Sequence, residues 1–155
     1  MGHRLLILGV GNIFMKDDGI GIYSAHELKK SNLPHGVKVI DAGTMGPGLI
    51  DLMRETAKVI FLDAVEMGKT PGTVVRLTAE ELEQIDDGAS YSLHEIKLPQ
   101  VLQLAGRLGI SPEVVIFGMQ PKEIGLGNTL TPPLKKAIPH MVESVLREIH
   151  NPNGA

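Results

Sequence analysis

Four short stretches, Leu5 to Leu8, Val37 to Ile40, Val59 to Leu62 and Val114 to Phe117, are almost continuously apolar and rich in Val and Ile. Strands buried on both faces have this pattern. Between the first two, Ile22, Ala25 and Leu28 recur at helical spacing, and a shorter apolar pattern runs through Leu49, Leu52 and Met53 before the third. The order strand, helix, strand, helix, strand predicts an α/β fold. Right-handed crossovers then give a mostly parallel, twisted sheet with helices on both faces, a single-domain three-layer sandwich. After the third strand, Lys69-Thr70-Pro71-Gly72 reads as a turn and Thr73 to Leu77 as a short edge strand, expected to be antiparallel. Ser92-Leu93-His94-Glu95 fits a capping box opening the next helix, with Leu98, Val101, Leu102, Ala105 and Leu108 as its apolar stripe and Gly109 as its stop. From Thr131 the chain carries Leu134, Ile138, Met141, Val142, Val145 and Ile149 on one helical face, and Pro139 is expected to kink that helix or mark its start. The pattern gives one domain over residues 1–150 and a flexible tail over 151–155.

Composition narrows the classes. The 155 residues include 15 Lys and Arg against 18 Asp and Glu, a formal charge of −3, and no Cys. At this length roughly 70% of the unfolded surface is buried on folding, so no disulfide or structural metal is needed as a staple. The absence of Cys excludes a disulfide framework, a Cys-based zinc site and a cysteine nucleophile. Mild acidity argues against a nucleic-acid partner. The longest apolar run, Leu5 to Val10, is far short of the roughly 20 residues of a membrane span. A cytoplasmic protein without membrane contact is expected. Gly2 does not mark myristoylation, because Leu6 stands where Ser or Thr is required.

In an open parallel sheet, ligands bind beyond the carboxyl ends of the strands. The first strand runs into a loop from Gly9 to Gly21 that contains Asp17 and Asp18; the second ends at Asp41, the third at Asp63 and the last at Gln120-Pro121. A helix crossing over to a parallel strand starts at that same edge, which brings His94 in. Carboxylates with an imidazole suit a divalent metal of the nickel or zinc kind better than Mg²⁺, which prefers oxygen ligands.

Each residue also has a plainer role to weigh. Asp18 precedes a helix and suits an N-cap, Asp41 suits a turn brace, and His94 lies one turn before Leu98 on the core-facing stripe. Asp63 resists such a reading, because four apolar residues precede it and a half-buried carboxylate wants a partner or a metal. His26 and His140 read as helix-surface residues, and His3, His35 and His150 as residues near termini or a turn. No second histidine completes an HExxH after His26 or His94, and no G-x-S-x-G elbow is present, which excludes zincins and α/β-hydrolases. A dinucleotide fingerprint would need glycine at Phe14, so no nucleotide cofactor is expected. A phospho-receiver is the better rival, although its acidic pair follows the strand directly and its Lys precedes Pro, whereas here the order is Pro121-Lys122.

Six blocks stand in order: G-x-G-N leading to D-D-G-x-G from Gly9 to Gly21, Asp41-Ala42-Gly43-Thr44, Asp63-Ala64, Pro71-Gly72-Thr73, His94, and Gly118-Met119-Gln120-Pro121. Over nearly the whole chain this set resembles the endopeptidases that mature nickel-iron hydrogenases by trimming the C-terminus of the large-subunit precursor. The resemblance implies that Asp18, Asp63 and His94 engage nickel, the same three residues that the strand-end placement singles out. No other nucleophile is evident in the sequence, so the same three are expected to be catalytic. Some members carry Glu in the loop, so Asp17 competes with Asp18 for that place. The resemblance further implies nickel presented by the precursor as the recognition element and the large-subunit precursor as partner. A monomer is expected as the working form. A non-catalytic nickel-binding chaperone would share these ligands and leave the peptide bond uncut.

Overall fold

The computed structural model describes residues 4–54, 56–85 and 97–151. His94, the Ser92 to Glu95 capping box and all of the tail beyond Asn151 lie outside the described residues.

The strands are β1 (Leu5–Val10), β2 (Val37–Gly43), β3 (Lys58–Ala64), β4 (Val74–Leu77) and β5 (Glu113–Met119). They form one five-stranded sheet in the order β2-β1-β3-β5-β4. Every pairing is parallel except that of β4 with β5 at the edge. The helices are α1 (Ile20–Leu28), α2 (Leu49–Met53), α3 (Ala79–Ile85), α4 (Leu98–Arg107) and α5 (Pro132–His150).

Side chains of a strand alternate between faces, and the two cores follow that parity. Leu6, Leu8, Val59, Phe61 and Ile116 face α2, α3 and α4. Leu5, Ile7, Ile60, Leu62, Val115 and Phe117 face α1 and α5. Both faces of the sheet are therefore dry, which is why the strands read as unbroken apolar runs.

Three elements depart from the sequence pattern. The helix expected from Ser92 begins at Leu98, since Lys97 is in extended backbone with ψ 155°. Gln100 supplies the start signal, its Oε1 accepting from the Lys97 N–H at 3.1 Å, and Pro99 sits in the first turn, where its missing N–H is harmless. At the other end Gly109, with φ +76°, closes α4 as expected. Its N–H donates to Gly106 O at 3.1 Å, and the Ile110 N–H to Ala105 O at 2.9 Å, a Schellman closure. Pro139 lies inside α5 and does not mark its start. The helix forgoes one bond, to Lys135 O, while Leu134, Met141 and Val145 are fully buried along it; that burial outweighs a single missing hydrogen bond. The short helix α3 is absent from the hydrophobic pattern, yet it has a signal in a capping box: the Glu81 N–H donates to Thr78 Oγ1 and the Thr78 N–H to a Glu81 carboxylate oxygen.

Candidate functional site

β1 and β3 are neighbours whose outgoing connections run in opposite directions, β1 to β2 through α1 and β3 toward β5 on the other side. This is the topological switch point of the sheet, where open α/β folds form their crevice. The residues leaving β1 and β3 at that edge include Asp18 and Asp63.

Tight packing brings the two strand ends together. A Cβ on Gly21, in the first turn of α1, would lie 2.1 Å from Leu62 O and 2.5 Å from Val10 O. Only glycine lets α1 start against the backbone of both strands. Gly11, with φ +128°, would likewise drive a Cβ to 2.1 Å from Asp18 O. The glycines of the loop are thus packing residues that fold the 3-10 turn Lys16–Gly19 back over β1 and onto β3.

Asp18 is half-buried in that turn. It is not the N-cap of α1, which is Gly19, and no side chain caps that helix. Instead the Asn12 N–H donates to Asp18 Oδ2 at 2.9 Å. Asp63 is half-buried near the end of β3, paired in register with Gly118, and its Oδ1 accepts from the Ala64 N–H at 2.9 Å. Its parity is that of Val59 and Phe61, toward the α2 and α4 side.

Asp17 has a different task. It is fully buried. The Thr131 N–H donates to its Oδ1, while the Thr131 hydroxyl and the Lys122 and Glu123 N–H groups donate to its Oδ2, all within 2.7–2.9 Å. Burial pushes its carboxyl upward, and the hydrogen bonds from Thr131, Glu123 and Lys122 outweigh that and hold it below the ordinary carboxylate value. Both oxygens are engaged in tying the 121–131 loop to the glycine loop. Of the adjacent pair, Asp17 is the buried anchor of the loop and Asp18 the half-buried one.

Gln120 braces the segment after Asp63. It is buried, and its Oε1 accepts from the Met67 N–H at 2.7 Å and the Lys69 N–H at 3.2 Å. Asp41 does not brace a turn, because β2 continues through it to Gly43. It is exposed on the α1 face, with its Oδ2 2.9 Å from His26 Nε2, so His26 has a partner that helical spacing alone does not disclose.

Among the described residues, no group of three or more His, Cys, Asp or Glu side chains converges in a way that could hold a metal ion. Asp18 and Asp63 each accept a hydrogen bond from a backbone N–H. His94, the third residue expected at the rim, lies outside the described residues. Neither the Asp17 hub nor the Gln120 brace stands out in the sequence; the Thr131 hydroxyl preceding two prolines is the only local hint.

A family model described as hydrogenase maturation protease matches residues 22–148. The coenzyme F420 hydrogenase subunit delta of Methanothermobacter thermautotrophicus is 37% identical, the match covering 94% of each chain. The hydrogenase expression/formation protein HupD of Rhizobium leguminosarum is 31% identical, with 96% of this chain and 75% of the relative covered. Among solved structures, the hydrogenase maturating endopeptidase HybD from E. coli superposes with a TM-score of 0.83 at 31% identity, covering 95% of this chain and 92% of that one. A hydrogenase 2 maturation peptidase from a Thaumarchaeota archaeon does so with a TM-score of 0.72 at 34% identity, covering 95% and 98%.

Proposed function

The chain belongs to the hydrogenase maturation protease family, and from that premise we propose that it removes the C-terminal extension of a nickel-iron hydrogenase large-subunit precursor after nickel has been inserted. It is a peptidase by membership, and the signalling-receiver alternative falls with it. The observation that carries the reading is the pair Asp18 and Asp63, delivered by β1 and β3 to one switch-point rim and each oriented by a backbone N–H.

Nickel enters as part of the substrate. Two carboxylates with an imidazole form a mixed oxygen and nitrogen donor set, which fits nickel better than Mg²⁺ or Ca²⁺. We assign Asp18, Asp63 and His94 to hold the nickel-bearing end of the precursor, so that a precursor without metal is held too weakly to be cut. When bound, nickel supplies positive charge beside the scissile carbonyl. Water adds to that carbonyl carbon, the C–N bond breaks, and the departing amine nitrogen takes up a proton. The chain's part is to position and to move protons: a carboxylate or imidazole within hydrogen-bond reach accepts the water proton and returns one to the amine, and the same three residues are the ones we assign. Asp17 and Gln120 contribute by fixing the two segments that present Asp18 and Asp63. A monomer working in the cytoplasm completes the proposal.

Intact-mass spectrometry tests it. The precursor from the same organism is incubated with the protein in nickel-loaded and nickel-free forms. Loss of one C-terminal peptide from the loaded form alone supports the whole reading, and cutting of both forms removes the nickel requirement. A precursor that binds but stays intact points to the chaperone.

A further inference from the structure

We propose that Phe14 and Leu126 form an apolar seat for a nonpolar stretch of the precursor lying within a few residues of the bond that is cut. The inference rests on the function just proposed and names a surface that the function requires. Phe14 is 64% exposed and Leu126 86%, the two highest values among the large hydrophobic residues described. Single exposed apolar residues are ordinary, but neighbouring ones beside a crevice mark a contact surface.

The two belong to adjoining segments of backbone. The Gly127 N–H, next to Leu126, donates to Phe14 O at 3.0 Å, and the Lys16 N–H donates to Gly127 O at 2.9 Å. Met15 and Gly127 form a parallel bridge. The Lys16 ammonium pairs with Glu123, and the buried Asp17 carboxylate holds Lys122, Glu123 and Thr131. Lys16 itself adopts φ +51°, a left-handed conformation uncommon for residues other than glycine. The patch is therefore mounted on braced loops. A surface held in place before binding loses less entropy on docking than a loose loop tip does.

Its position selects the occupant. Asn12 Oδ1 accepts from the Phe14 N–H at 2.9 Å, and the Asn12 N–H donates to Asp18 Oδ2 at 2.9 Å. One residue thus orients both the patch and the carboxylate. The four-residue step from Phe14 to Asp18 spans at most about 14 Å of extended chain. A substrate strand crossing the rim at Asp18 reaches Phe14 within about four of its own residues. The next most exposed large apolar side chain among the described residues, Leu108, follows α4 on the way into β5, at the opposite end of the sheet. It serves as a control. Contacts away from the reacting bond are how an enzyme that cuts one partner gains selectivity.

The test uses the full chain and the nickel-loaded precursor. The double variant F14S/L126S is expected to raise KM about tenfold or more, the loss typical of removing two central interface anchors, with kcat within about twofold of wild type. Precursor binding measured without cleavage should weaken by the same factor, and L108S should behave as wild type. Wild-type KM and binding in the double variant would overturn the proposal, as would an equal loss in L108S. It would also fall if ultracentrifugation showed wild type to be a dimer that the double variant dissolves, since the seat would then belong to a second copy. Wild-type protein that binds the precursor through this patch but never cuts it supports the seat while sinking the peptidase reading, so the two failures are distinguishable.

Discussion

Thr131 gives Asp17 two hydrogen bonds, from its N–H to Oδ1 at 2.8 Å and from its hydroxyl to Oδ2 at 2.7 Å. The residue that opens α5 and the residue that ends the glycine-loop approach to the site are thereby one unit. Adjacent aspartates divide the labour: Asp17 holds the framework, and Asp18, on the next residue of the 3-10 turn, belongs to the rim.

Asp17→Asn should therefore act on stability first. An amide nitrogen would point a donor at groups that are themselves donors, leaving buried N–H groups without acceptors, and the expected cost is about 2–4 kcal/mol. Thr131→Val, which removes only the hydroxyl, should cost about 1 kcal/mol. Urea titrations followed by circular dichroism read both. An unchanged midpoint for Asp17→Asn would remove the anchor role.

Gly21→Ala probes the approach of α1 to the sheet. The added methyl meets carbonyl oxygens of two strands, at 2.1 Å for Leu62 and 2.5 Å for Val10, and neither is a flexible side chain that can swing away. The helix has to lift, with an overpacking cost of about 2–3 kcal/mol. Because the turn bearing Asp18 leads directly into α1, processing should fall beyond what the loss of folded protein explains. A thermal melt and a processing assay on the folded fraction check the two parts separately.

Acid should weaken the fold through two carboxylates. Glu148, buried on α5, accepts from Arg76 Nε at 2.7 Å and Nη2 at 3.0 Å and from Lys58 Nζ at 2.7 Å. Burial pushes its carboxyl upward, while the hydrogen bonds and charges of Arg76 and Lys58 outweigh that and hold it low, as the loop donors do for Asp17. A group depressed in the folded state binds fewer protons there than in the unfolded chain, so its stabilisation is fully present above the unfolded value. That stabilisation is lost as pH falls through the lowered folded value. The ordinary values are 3.8 for Asp and 4.5 for Glu, so the urea midpoint should hold from pH 7 to about 5 and drop below about 4. Glu148→Gln should lower the midpoint at pH 7 by about 1–3 kcal/mol equivalent and flatten the acid limb. An acid limb that keeps its wild-type slope in Glu148→Gln would exclude this linkage.

The strands are legible in the sequence because Val59 to Leu62 and its counterparts are buried on both sides, and two-sided burial leaves a mark that any reader of hydropathy finds. Asp63 is legible for the same reason, as a charge at the end of such a run. The choice between Asp17 and Asp18 is not, because it depends on Lys122, Glu123 and Thr131, more than a hundred residues away in the chain. The start of α4 is hidden because its signal is the Gln100 side chain accepting from the Lys97 N–H, and Lys97 is not a residue type that marks a helix start. The start of α5 at Thr131 is legible, and Pro139 stands inside the helix because the burial of Leu134, Met141 and Val145 outweighs one lost hydrogen bond. The pairing of His26 with Asp41 joins a helix to a strand, and neither period reveals it.

The site itself is tested by substitutions that keep shape and remove charge. Asp63→Asn and Asp18→Asn sit on half-buried positions at the rim, so each should cost about 1 kcal/mol or less in stability. If the two carboxylates hold the nickel-bearing end of the precursor, each variant should lower processing by about a hundredfold or more, the scale on which a charged group at a reacting centre acts. His94→Ala should do the same. Asp17→Asn, by contrast, should lose activity in proportion to its loss of fold, and mild stabilising conditions should restore part of it. Single-turnover processing of the nickel-loaded precursor, with the folded fraction measured in the same samples, separates the two classes. Normal processing by Asp63→Asn would take that residue out of the catalytic set, and rescue of Asp18→Asn by stabilising conditions would do the same for Asp18.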